Sequence, residues 1–118
     1  MNEELLRTET VSIGNAMLYL GDALKILPSL QADVVITDPV WPNCPKDLIP
    51  GSEDPYGLFL RACALLPVIK RMVVVMRHDS DPRFLAPVPL PYARVQWLPY
   101  AMPSYIGRYL GGDELAFC

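Results

Sequence analysis

At 118 residues, 52% hydrophobic and 19% charged, the chain has enough apolar side chains for one core, which excludes a disordered chain and leaves little room for a second domain. A net charge of −3 argues against a general nucleic-acid binder, whose affinity comes from Lys and Arg neutralising phosphates; residues 1–66 carry −5 and residues 67–118 carry +2, so any such contact is expected in the second half. One histidine and three scattered cysteines (Cys44, Cys63, Cys118) lack zinc-ligand spacing, no apolar run reaches the roughly 18 residues of a membrane span, and Asn2-Glu3-Glu4 is too acidic for a signal peptide, so the expectation is no metal, no membrane, reduced thiols and a cytoplasmic location.

Residues 1–12 read as a flexible polar tail before a single domain that fills the rest of the chain. Residues 16–20 predict a short strand, ended by Gly21-Asp22. Asp22 is also a good N-cap for a helix through Ala23, Leu24, Ile26, Leu27 and Leu30, whose spacing makes one apolar stripe. The run Asp33-Val34-Val35-Ile36-Thr37 is continuous and β-branched, which predicts a strand buried on both faces, as in a parallel sheet. Residues 38–54, with four prolines, predict a loop, and a loop of that length in a compact domain is usually functional.

Asp54-Pro55 then supplies a cap and a first-turn proline for a helix that lines up Leu58, Phe59, Ala62, Leu65 and Leu66 and stops at Pro67. Residues 72–76 predict another buried strand, and Asp81-Pro82 repeats the cap-and-proline start for a short helix near Phe84. Residues 94–98 and 114–117 predict strands, joined as a hairpin by the glycine-rich bend 107–112. The sum is an α/β sheet with an antiparallel edge.

The segment Val34-Val35-Ile36-Thr37-Asp38-Pro39-Val40-Trp41 brings an acid, a proline and an aromatic to the carboxyl end of a strand, where ligands bind in open α/β sheets. It resembles the Asp-Pro-Pro-Tyr or Asp-Pro-Pro-Trp motif of DNA and RNA amino-methyltransferases. Leu18-Tyr19-Leu20-Gly21-Asp22-Ala23-Leu24 resembles the preceding strand of those enzymes in their permuted order, where the catalytic half comes first. Residues 17–41 carry the likeness, and the later strand pattern agrees more loosely. The resemblance implies a partial Rossmann-like methyltransferase sheet, mostly parallel with an antiparallel C-terminal strand. It also implies DNA as partner, S-adenosyl-L-methionine (AdoMet) as methyl donor, and catalytic roles for Asp38, Pro39 and Trp41.

The chemistry needs those residue types together. An exocyclic amino nitrogen is a poor nucleophile because its lone pair is conjugated into the base. Two acceptors on its hydrogens, by resemblance Asp38 Oδ and the Pro39 carbonyl, draw that lone pair out of the plane, and proline stiffens the loop beforehand. Trp41 is the candidate platform for the flipped base: stacking contributes about 1–3 kcal/mol against the few that unstacking costs. Val40 stands where the family has its second proline, and Asp rather than Ser at the first position favours adenine N6 over cytosine N4. Asp22 resembles a family acid near the donor's adenine. Each has a plainer reading: Asp-Pro after a strand is a common turn signal, a lone tryptophan often caps a core, and Asp22 serves equally as an N-cap.

Arg77-His78-Asp79-Ser80-Asp81 follows the strand at 72–76 and should emerge at the same edge, which makes Arg77 and His78 candidate nucleic-acid contacts. Arg108 is a third, in a stretch that mixes Arg94 with Trp97, Tyr100 and Tyr105.

The family's glycine-rich donor loop has no counterpart, since no Gly-x-Gly occurs and the cluster at 107–112 does not follow a buried strand. In the permuted order the donor half would follow residue 118, so the chain reads as a truncated or partial enzyme with an incomplete AdoMet site and negligible activity alone. The two missing strands would lie between strands 17–20 and 33–37. An apolar edge is therefore expected on the latter, covered by a second copy of the chain, a separate donor-binding chain, or a shifted 17–20 strand. The alternative is a non-catalytic α/β module that binds nucleic acid or a protein partner. Methylation of a small molecule or a protein amide is less favoured, because amide-directed relatives carry Asn where Asp38 sits.

Overall fold

The computed structural model, which describes residues 8–42, 44–98 and 114–118, contains two separate sheets. β1 (Glu9–Ile13) and β2 (Ala16–Leu20) pair antiparallel across a tight turn at Gly14, whose φ of +57° suits a residue without Cβ. The flexible tail expected over 1–12 is corrected for residues 9–12, which lie in β1, while residues 1–7 lie outside the described residues: Val11 and Ile13 alternate with polar residues and find partners in Leu18 and Ala16. The register gathers Val11, Ile13, Ala16, Leu18 and Leu20 on one hairpin face, yet every residue of both strands is exposed.

Asp22 caps α1 (Ala23–Ile26), its Oδ1 accepting from Leu24 N at 3.0 Å. This helix is shorter than the apolar stripe predicts. Pro28 has no N–H to continue the ladder, and the chain tightens into a 3-10 turn over Leu27–Ser29.

The larger sheet holds β3 (Val34–Thr37), β4 (Arg71–Arg77), β5 (Val95–Leu98) and β6 (Glu114–Phe117) in the order β3-β4-β6-β5. β3 and β4 are parallel, and β6 is antiparallel to both β4 and β5, so β3, β4 and β5 all run the same way. The domain is thus α/β with a mixed sheet. One detail differs from expectation: the antiparallel strand lies inside the sheet, and β5, parallel to β3 and β4, forms the edge.

The core lies on one face of this sheet. Alternation along β4 turns Met72, Val74 and Met76 inward, against Phe59 and Cys63 of α2 (Pro55–Ala64). Asp54 caps α2 by accepting from Gly57 N at 3.0 Å, with Pro55 in the first turn as its sequence predicts. Phe84, in a 3-10 helix over Pro82–Leu85, stacks on Phe59 with ring centroids 4.5 Å apart and meets Tyr56 edge-on at 5.4 Å.

β3 departs from its predicted burial. Val35 opposes Met72 and joins the core face, whereas Val34 and Ile36 point the other way and are 47% and 74% exposed. A β-branched run signals an apolar strand, but burial on both faces needs a layer on each side, and α2 covers one. Nor does β2 cover the outer edge of β3, because it belongs to the hairpin sheet; that proposed cover is corrected, and among the described residues nothing pairs with this edge.

Candidate active site

β3 ends at Thr37, opposite Val74, while β4 runs on through Val75, Met76 and Arg77. The polypeptide leaving β3 therefore crosses beside an overhang of β4. Asp38 is the first residue past β3 and is exposed at this carboxyl edge; Pro39 and Val40 are half-buried. Asp38 is also engaged within the chain.

Trp41 fixes the loop to the sheet. Its Nε1–H donates to the Val75 carbonyl at 3.1 Å, one residue beyond the end of the β3 pairing, and the indole packs half-buried against the core. The core-capping role is therefore real for this residue. It also immobilises the segment that carries Asp38 and Pro39.

The rest of the loop is a chain of tight turns. Cys44 N bonds to Trp41 O at 3.0 Å, Ser52 N to Ile49 O at 3.1 Å and Asp54 N to Gly51 O at 3.2 Å. Ser52 is buried, and its hydroxyl donates to Ile49 O at 2.7 Å. Gly51 has φ +94°, and a Cβ there would meet Leu58 Cδ2 at 2.5 Å, with Val40 Cγ2 at 3.9 Å. A larger residue would therefore be strained by the backbone conformation and would displace the Leu58 side chain.

Arg77 and His78 do emerge at the carboxyl end of β4, beside the Asp38 loop. Arg77 Nη2 pairs with Asp79 Oδ2 at 3.0 Å, both half-exposed, and exposed His78 is engaged within the chain. Asp81, the cap of the 3-10 helix, receives the Arg83 guanidinium on both oxygens, Nε to Oδ2 at 2.9 Å and to Oδ1 at 3.1 Å. That bond holds its carboxyl below the usual carboxylate range and raises the guanidinium in turn. The i, i+2 spacing of Asp81 and Arg83 across Pro82 was the available signal.

Asp22 is not brought to this edge by any shared sheet, since its strand lies in the hairpin and its Oδ1 is used on Leu24 N. The capping role accounts for it. Arg108 and the bend at 107–112 lie outside the described residues. Of the strands that bracket it in sequence, Leu98 of β5 and Glu114 of β6 are in register, with Glu114 opposite Arg77.

AdoMet does not fit the residues described. No glycine turn follows β3 or β4, and the one acid resembling a donor contact is a helix cap. Nor do the described residues contain a metal-type cluster of His, Cys, Asp and Glu, or a helix long and apolar enough to cross a membrane. Of the cysteines, Cys63 is buried, and burial pushes its thiol up to about 11, which suits a packing role. No family model, curated protein or solved structure matches the chain.

Proposed function

We propose that this chain is the base-holding half of a Rossmann-like amino-methyltransferase acting on DNA, with adenine N6 favoured over cytosine N4. The observation that carries the reading is the position of Asp38: exposed, immediately after a parallel strand, and followed by a proline in a loop that Trp41 ties to Val75. Asp38 Oδ and the Pro39 carbonyl accept the two amino hydrogens of a flipped base. Because the loop is held before the base arrives, little ordering remains to oppose binding. Trp41 offers an aromatic fixed in place, and Arg77 and His78 lie where the flanking phosphates would pass.

The donor belongs to a second half. The unpaired edge of β3 and the exposed hairpin face are the surfaces that half would cover, and a second copy of this chain is the other candidate for them. A non-catalytic module that binds nucleic acid or a protein draws its support from the unfitted donor site.

A methyl-transfer assay separates these readings. The chain is mixed with adenine-rich duplex DNA and labelled AdoMet, with and without the donor-binding half of an amino-methyltransferase, added in trans or fused after residue 118. Methyladenine is expected only when both halves are present, with a loss of at least about 100-fold in Asp38→Ala, the scale seen when one preorganised polar group is removed from a reacting centre. Methylation indifferent to that substitution refutes the catalytic assignment. Retained DNA binding without methylation supports the non-catalytic module.

A further inference from the structure

At the amino ends of the parallel strands, opposite the edge that carries Asp38, a cavity of about 550 Å³ opens between the sheet and residues 85–94. Met72, Val74 and Phe117 form its sheet wall, and Leu85, Val88 and Leu90 face them. Pro87, Pro89 and Pro91 alternate along the second wall, which forms neither helix nor strand beyond Leu85. Each proline fixes φ and removes an N–H, so this wall is stiff and does not zip onto the sheet.

The wall starts in a local turn, Val88 N bonding to Leu85 O at 3.0 Å, and its far end is tied beside β6, where Ala93 N and Arg94 N both donate to Cys118 O, at 2.9 and 3.1 Å. A stiff wall anchored in this way maintains a space that a flexible one would close. The volume falls within the roughly 300–1,000 Å³ of small-molecule sites.

Among the described lining residues the charged side chains are all cationic, Lys70, Arg71 and Arg94, with Tyr92 and Cys118 beside them. Lys70 lies 4.0 Å from Asp33, but both side chains are largely exposed and such a pair holds little. An apolar interior under a cationic rim complements a molecule with the opposite pattern.

We propose that this cavity binds a monoanionic amphiphile, a medium-chain alkyl carboxylate. Its chain lies between Met72 and Leu90, and its carboxylate meets Arg94, whose planar fork donates to both carboxylate oxygens, with Lys70 nearby. The site is independent of the Asp38 edge.

Calorimetric titration with dodecanoate below its micelle concentration tests this, with dodecyltrimethylammonium as a cation of equal chain length. Saturable one-site binding of dodecanoate is expected, at least about tenfold tighter than the cation, with a loss of at least about tenfold in Arg94→Gln as the charge-assisted bidentate pair disappears. Leu90→Trp, which fills the cavity without changing its charge, should abolish binding, while circular dichroism shows that both variants keep the fold. Equal affinity for the two amphiphiles, no dodecanoate binding by the folded wild type, or binding unchanged in either variant would overturn the proposal.

Discussion

The β4–α2 region and the β1–β2 hairpin use the same kinds of apolar residue to opposite effect. Met76 and Phe84 are 0% and 1% exposed because α2 and the segment after β4 supply matching surfaces, whereas Leu20, with an equally apolar side chain, is 70% exposed. Ile36 on β3 shares the hairpin's condition. An apolar pattern in sequence specifies a face that needs a partner. It does not say whether the partner is in the same chain, and an isolated two-stranded hairpin is marginal in water without one.

The comparison breaks most sharply at Phe84. Phe84→Ala, which removes a ring stacked on Phe59, should cost about 3–5 kcal/mol in denaturant unfolding. A change below about 1 kcal/mol would mean that the supposed core is no better packed than the hairpin. The helix caps come next. Asp54→Ala should cost about 1 kcal/mol, because α2 is part of the core, whereas Asp22→Ala, capping the short α1, should cost less.

Smaller still are the exposed apolar positions. Leu20→Ser and Ile36→Ser should shift the stability of the isolated chain by no more than about 0.5 kcal/mol, yet weaken association with a donor-binding half in a pull-down or sedimentation experiment. A large loss of stability in the isolated chain would show that the chain already covers these residues.

Titration sharpens the contrast. Burial raises the Cys63 thiol from 9.0 to about 11, so its protonated form is favoured by folding, and that stabilisation is present below pH 9 and lost as pH rises towards 11. Thiol labelling at pH 8 should therefore reach half-exposed Cys44 and Cys118 before Cys63. Asp81 behaves oppositely: its lowered carboxyl contributes above the usual carboxylate range and ceases to contribute on acidification through its folded value. The pair it forms with exposed Arg83 should weaken with added salt.

Much of the scaffold was legible from local rules. Asp54-Pro55 and Asp81-Pro82 announced helix starts because cap and proline act within one turn, and residues 34–37 and 71–77 appeared as strands close to where their runs lie. What was not legible depends on partners distant in sequence. The burial of β3 turned on whether a second layer exists, and the insertion of β6 between β4 and β5 turned on pairing over long separations. Of the site, the exposure of Asp38 followed from its place at a strand end, but the Trp41–Val75 bond, which spans 34 residues, had no sequence signal. The cavity beside residues 85–94 had only the alternating prolines to announce it.

The central claim is that Asp38 and Pro39 hold an amino group by its two hydrogens, and nuclear magnetic resonance titration of the chain with 2′-deoxyadenosine tests it most directly. The expected result is saturable shifts at the Asp38 and Val40 amides and the Trp41 indole N–H, lost in Asp38→Ala and absent with the N6,N6-dimethyl nucleoside, which has no amino hydrogen to give. Equal shifts from the dimethyl nucleoside, or shifts that survive Asp38→Ala, would contradict it.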